Sequence, residues 1–156
     1  MKVRTAAIAL AGAFALATPA FANDGCEGDH TPTVAKLSVV VTNLRSSQGE
    51  VAITVYPDDK RRFLAKGGKL ARIRAKAVAP TVRVCFWLPA DNYEIAIYHD
   101  ANGDRNFNRT LVGLPAEGFG FSNDPETKVG LPPISAARFA LPADGKTVTI
   151  PTHYLK

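Results

Sequence analysis

The chain has 156 residues, 46% of them hydrophobic and 21% charged, with a formal charge of +5 and two cysteines. That length and composition fit one ordinary globular domain. They exclude a large multidomain enzyme, a polytopic membrane protein, and any scaffold resting on many disulfides or on a four-cysteine zinc site.

The first segment reads as an export signal. Lys2 and Arg4 form a short basic region, Thr5 to Thr18 are mostly small and apolar, and Ala20-Phe21-Ala22 supply an A-x-A site with cleavage expected after Ala22. The apolar run is shorter than the roughly 20 residues that span a bilayer, and no second run follows, so no transmembrane segment is expected in the mature chain. The expected organisation is a signal peptide over 1–22, a tail over 23–33 and one domain over 34–156. The expected location is periplasmic or extracellular. Losing Lys2 and Arg4 leaves 17 basic residues against 14 acidic ones, too small an excess to suggest a nucleic-acid partner.

Apolar alternation then marks strands. Leu37, Val39 and Val41 come first, followed by Val51, Ile53 and Val55. Val82, Val84, Phe86 and Leu88 form another set, then Tyr93, Ile95 and Ile97, and finally Val148 and Ile150. Ala71 to Ala77 and Ala137 to Leu141 add two weaker candidates. Asp58 to Lys66 is the one helix candidate, limited to a turn or two and stopped by Gly67-Gly68. Ser46 to Gly49, Ala79-Pro80, Pro89 to Asn92 and Ala143 to Gly145 carry turn chemistry. About seven short strands separated by such turns predict an all-β, antiparallel sandwich of transthyretin-like or immunoglobulin-like type. Ala101 to Ser135 is a long connection with little periodicity, and such loops are usually functional.

Three pieces carry a family resemblance. Leu88-Pro89-Ala90-Asp91-Asn92-Tyr93, running into Ile95-Ala96-Ile97, resembles the entry to a strand in transthyretin-like modules. Tyr98-His99-Asp100-Ala101-Asn102-Gly103 and Gly113-Leu114-Pro115-Ala116-Glu117-Gly118-Phe119-Gly120-Phe121-Ser122-Asn123 follow in order. Together, from about Val34 to Tyr154, they resemble the bacterial exported family called domain of unknown function 2141. The resemblance implies a small exported β-sandwich and no particular reaction. Asn92 stands where that pattern has Gly.

Four places could carry function. Asp100, Asn102, Asp104, Asn106 and Asn108 alternate through a loop, as the oxygen ligands of a calcium loop do. Arg105 stands where such a loop has Gly, and Leu111 where it has a bidentate Glu; Glu117 could return as a third carboxylate. The same residues also suit an ion-free loop whose side chains bond the backbone. Second, Lys60 to Lys76 holds eight basic residues and no acid. If strands 71–77 and 81–88 formed a hairpin about Ala79-Pro80, Arg72, Arg74, Lys76, Arg83 and Trp87 would share one surface. That surface would suit an anionic cell-envelope component such as a lipid headgroup or lipopolysaccharide, or serve only as a solvated, edge-protecting face.

Third, Cys26 and Cys85 could pair in an oxidising compartment. Alternatively they stay free, or join His30 at a metal, for which the ligand count falls short. Fourth, Phe119 and Phe121 lie between glycines, and could form a ligand platform with His99 or plug the sandwich end while the glycines take positive φ. The leading expectation is a non-enzymatic exported binding or structural module working through residues 99–123, with calcium as the one cofactor considered. The alternatives are a hydrolase-like enzyme centred on His99 and Glu117, and an anion-binding surface protein.

Overall fold

The computed structural model describes residues 25–127 and 131–155; the segment read as an export signal lies outside them. Among the described residues the strands are β1 (Val34–Thr42), β2 (Glu50–Pro57), β3 (Ala71–Lys76), β4 (Val82–Pro89), β5 (Asn92–Asp100), β6 (Gly118–Phe121), β7 (Phe139–Ala140) and β8 (Lys146–Pro151), with one turn of helix, α1 (Ile134–Ala137). They build two sheets. The smaller has the order β4-β1-β8; the larger has the order β3-β2-β5-β6, with β7 also pairing β5. The fold is the expected all-β sandwich.

Alternation places one face of each strand in the space between the sheets. Leu37, Val39 and Val41 of β1, Val51, Ile53 and Val55 of β2, Phe86 of β4, Ile95 and Ile97 of β5 and Ile150 of β8 are all buried in one core. Burying each such side chain contributes about 1.5–3 kcal/mol, against which the chain loses conformational entropy. Tyr93 is buried too, and its hydroxyl donates to Pro89 O at 2.9 Å. This short return bond fixes the turn between β4 and β5, as tyrosine corners do in other sandwiches.

Several local expectations are corrected. β1 and β8 run parallel, from Leu37↔Lys146 to Thr42↔Pro151, so one pairing departs from the antiparallel pattern. β8 arrives after a long connection, which leaves it free to enter the edge of β1 in that sense. Asp58 to Lys66 forms consecutive turns rather than helix, with Arg62 N–H and Phe63 N–H both donating to Asp59 O. Ala137 to Leu141 supplies only the two residues of β7, because α1 takes up Ala137 and Asn92 and Tyr93 are all that β7 pairs with. β6 falls within the stretch expected to be an aperiodic connection, because its glycines hide the alternation of a strand.

The expected hairpin about Ala79-Pro80 does not form. β3 pairs β2 in the larger sheet, and β4 pairs β1 in the smaller one. The connection at 77–81 crosses between sheets, which separates Arg72, Arg74 and Lys76 from Arg83 and Trp87. The basic surface they were expected to share is therefore absent.

Candidate functional site

Strand register decides what the outer face of the larger sheet presents. One cross-strand row runs Arg72, Thr54, Ala96, Phe121; the next runs Arg74, Ala52, Tyr98, Phe119; the third carries Lys76, Glu50 and Asp100. In the first row the small Thr54 and Ala96 hold the centre between Arg72 and Phe121, so the sheet forms the floor of a bowl. The loop after β5 closes one side with Phe107, Arg109, Leu114 and Pro115. The result is a cavity of about 380 Å³, also lined by Tyr56, Leu64, Thr127, Leu131 and Leu155.

The walls are aromatic and hold one another. Phe107 meets Tyr98 edge-on at 5.5 Å and Phe119 at 6.4 Å between ring centroids, and Phe119 meets Phe121 at 6.2 Å. Such contacts each contribute about 0.5–1.5 kcal/mol beyond the area they bury. Phe119, Phe121 and Ala137 form a second apolar cluster, distinct from the core between the sheets. The two phenylalanines therefore do not plug the sandwich end. They lie on the outer face and line the cavity.

Two arginines give the cavity its sign. Arg72 Nε donates to Thr54 Oγ1 at 2.7 Å. Burial pushes the Tyr56 hydroxyl above its usual pKa, and Arg72 partly opposes that rise. Arg109 lies over the ring of Phe107 at 5.2 Å and donates to Gly113 O at 3.0 Å. Among the described residues, no Asp, Glu, His, Lys, Ser or Cys lines the cavity.

The third row carries acids. Asp100, Asp104 and Glu117 each bring an oxygen within 4.8 Å of the others. Asp100 is fully buried. Its Oδ2 accepts from Arg105 N–H at 2.8 Å and from Arg74 Nη1 at 3.2 Å, while Oδ1 has no hydrogen-bond partner. Arg74 also approaches Glu50 at 3.7 Å and donates to the Tyr98 hydroxyl at 2.6 Å.

Glu117 Oε2 accepts from Asn108 N–H at 3.1 Å, and its buried Oε1 has no partner. Burial raises the Glu117 pKa; the Asn108 bond opposes this, and the charges of Asp100 and Asp104 add to it. Asp104 is held below the usual carboxylate range, first by the Asn106 N–H and then by the Asn108 side chain. Asn102 also donates to Asp104, at 3.2 Å. Arg105, in the position where glycine was expected, takes φ 64 and makes the left-handed turn itself.

Other expected residues lie elsewhere. His99 alternates to the inner side of β5 and is buried, with Nδ1 at 2.7 Å from the Tyr154 hydroxyl and Nε2 at 2.8 Å from Gln48 O. Gln48 O can only accept, so Nε2 carries the proton, and Tyr154 donates to Nδ1 while accepting from Arg45 N–H at 3.2 Å. His99 and Glu117 thus face opposite sides of the sheet, and the pair expected of a hydrolase is not assembled. Lys76 is exposed beside the acidic row.

On the smaller sheet, Cys26 and Cys85 form a disulfide. Glu27 pairs with Phe86, which covers the edge of β4. Trp87 is stacked by His30 at 4.0 Å, with Lys36 over its ring at 5.6 Å, and Arg83 is exposed.

No local pattern in the sequence marks Thr54, Ala96 or Phe107 as site residues. The available signal was small outward residues, Ala52, Thr54 and Ala96, in the middle of well-patterned strands. That signal acquires meaning only once the register puts them side by side.

A family model described as "Uncharacterized protein conserved in bacteria (DUF2141)" matches residues 39–150. No curated protein and no solved structure matches the chain.

Proposed function

We propose that this chain, which belongs to the DUF2141 family of uncharacterized bacterial proteins, is an exported binding module for a small amphipathic anion. The observation that carries this reading is the cavity on the outer face of the larger sheet: an apolar, aromatic bowl whose charged lining residues, among the described residues, are Arg72 and Arg109. Ligand sites are typically concave and apolar with a few placed polar groups, and about 380 Å³ lies at the small end of their range. An apolar body would fill the floor over Thr54 and Ala96, and an anionic group would reach the guanidinium groups. Of Arg72, Arg74, Lys76, Arg83 and Trp87, Arg72 is the one that lines this cavity.

Binding is favoured over catalysis because, among the described residues, no Asp, Glu, His or Cys lines the cavity to serve as a base or nucleophile. His99 is engaged on the inner side, and the buried Ser122 is bonded to Ile95 and Ala137. The disulfide supports a working place outside the cytoplasm.

The test uses anilinonaphthalene sulfonate, an apolar anion whose fluorescence rises in apolar sites, with dodecanoate as competitor. Saturable binding displaced by dodecanoate is expected. Ala96→Phe fills the floor and is expected to weaken binding by about tenfold or more while leaving the unfolding midpoint near that of the parent. Arg72→Gln and Arg109→Gln should each weaken it several-fold. Absence of saturable binding, or an Ala96→Phe variant that binds like the parent, overturns the reading.

A further inference from the structure

We propose that Asp100, Asp104 and Glu117 form a calcium site that fixes the loop carrying the pocket wall. Calcium takes oxygen ligands at about 2.3–2.6 Å, so two ligands on opposite sides of one ion lie about 5 Å apart. The three carboxylates meet that condition, each with an oxygen within 4.8 Å of the others.

The fully buried Asp100 provides the second, independent observation. Its Oδ1 has no hydrogen-bond partner, and neither does the buried Oε1 of Glu117. Buried carboxylate oxygens are costly unless a donor or cation meets them. The nearby cations are engaged on other atoms: Arg74 lies on Asp100 Oδ2 and Glu50, and Arg105 approaches Glu50. Glu50, Asp100, Asp104 and Glu117 against Arg74, Arg105 and Lys76 still leave one negative charge in excess, which favours a cation.

The all-oxygen donor set selects a hard cation. The several protein carboxylates, on a flexible loop, suit calcium better than magnesium, which demands near-ideal octahedral geometry and keeps its waters. Asp104 and Glu117 lie toward the two ends of the loop that carries Phe107, Arg109 and Leu114, so an ion joining them to Asp100 on β5 would close that loop onto the sheet. The inference stands independently of what the pocket binds.

The chain as processed by its cell would be titrated with calcium chloride by calorimetry, and the amide resonances of residues 101–117 followed by NMR. One calcium per chain is expected, with a dissociation constant of about 0.1–1 mM, the range of extracellular modules. Asp104→Asn and Glu117→Gln, which leave the buried Asp100 in place, should each weaken binding about tenfold, with unchanged resonances in the smaller sheet certifying the fold. Neither heat nor amide shifts up to about 10 mM calcium, or affinity unchanged in both variants, overturns the site. An equal response to magnesium overturns the choice of ion.

Discussion

Glu94 shows what a single residue can do in this fold. It lies on the outer side of β5, fully buried, opposite Tyr56, and neither carboxylate oxygen has a hydrogen-bond partner. Arg138 Nε approaches Oε1 only to 3.6 Å, because the same guanidinium is bonded to Asp58. Burial, reinforced by the charge of Asp58 and opposed by Arg138, pushes the Glu94 pKa up to about 7. In the unfolded chain it titrates near 4.5. Between those values the folded state holds the extra proton. The stability contributed by neutral Glu94 is therefore complete below the unfolded value and is lost as pH rises through about 7. Glu94→Gln should leave stability nearly unchanged near pH 4 and raise it by roughly 2 kcal/mol near pH 8. Urea unfolding of both proteins at the two pH values checks this; an equal difference at both would mean that the Glu94 pKa does not rise on folding.

At the scale of the element, β6 explains the alternation of glycine and phenylalanine. Phe119 and Phe121 point outward into the pocket, and Gly118 and Gly120 point inward, where the C-terminal segment lies against them. A Cβ on Gly120 would lie 2.4 Å from Pro151 O and 2.9 Å from the Ile150 side chain; one on Gly118 would lie 2.4 Å from the Tyr154 ring. The expectation of positive φ at these glycines is corrected: both have ordinary strand backbone, and what they provide is close approach. Because the obstacle at Gly120 is backbone, it cannot rotate away. Gly120→Ala should cost about 2–3 kcal/mol, read as a lower urea midpoint, by driving β6 from the Phe119–His153 bridge that covers its edge. A midpoint within error of the parent would mean that the C-terminal segment is not held there.

At the scale of the whole molecule, the two sheets separate two kinds of work. The larger carries the pocket and the acidic cluster on its outer face. The smaller carries the disulfide, which ties the N-terminal segment to β4 across 59 residues of sequence. Loop-closure entropy sets an upper stabilisation near 4 kcal/mol for a cross-link of that span. Replacing both cysteines with serine should lower unfolding free energy by about 2–4 kcal/mol while leaving ligand binding at the opposite sheet intact. Protein recovered from its native cell fraction should have the mass of a chain starting at Asn23 with its two thiols oxidised. Free thiols, or a mass that includes residues 1–22, would overturn the export reading.

The sequence by itself determined the architecture and the chemistry of the parts. Strict alternation around Leu37, Ile53, Phe86 and Ile95 can satisfy one buried face only in paired sheets, and short polar turns leave room for little else. It also marked the Asp/Asn loop, the two aromatics of β6 and the two cysteines, because each is an unusual local pattern. Tertiary structure alone decided which of these meet. Register put Thr54 beside Ala96 and opened the bowl; the crossing at Ala79-Pro80 parted Arg72 from Arg83; the β5 alternation turned His99 inward and Asp100 outward; and the return of the chain brought Glu117 to Asp100. A period of two says which residues share a face of one strand. Which strands lie side by side, and in what register, is set by long-range packing that no local pattern encodes.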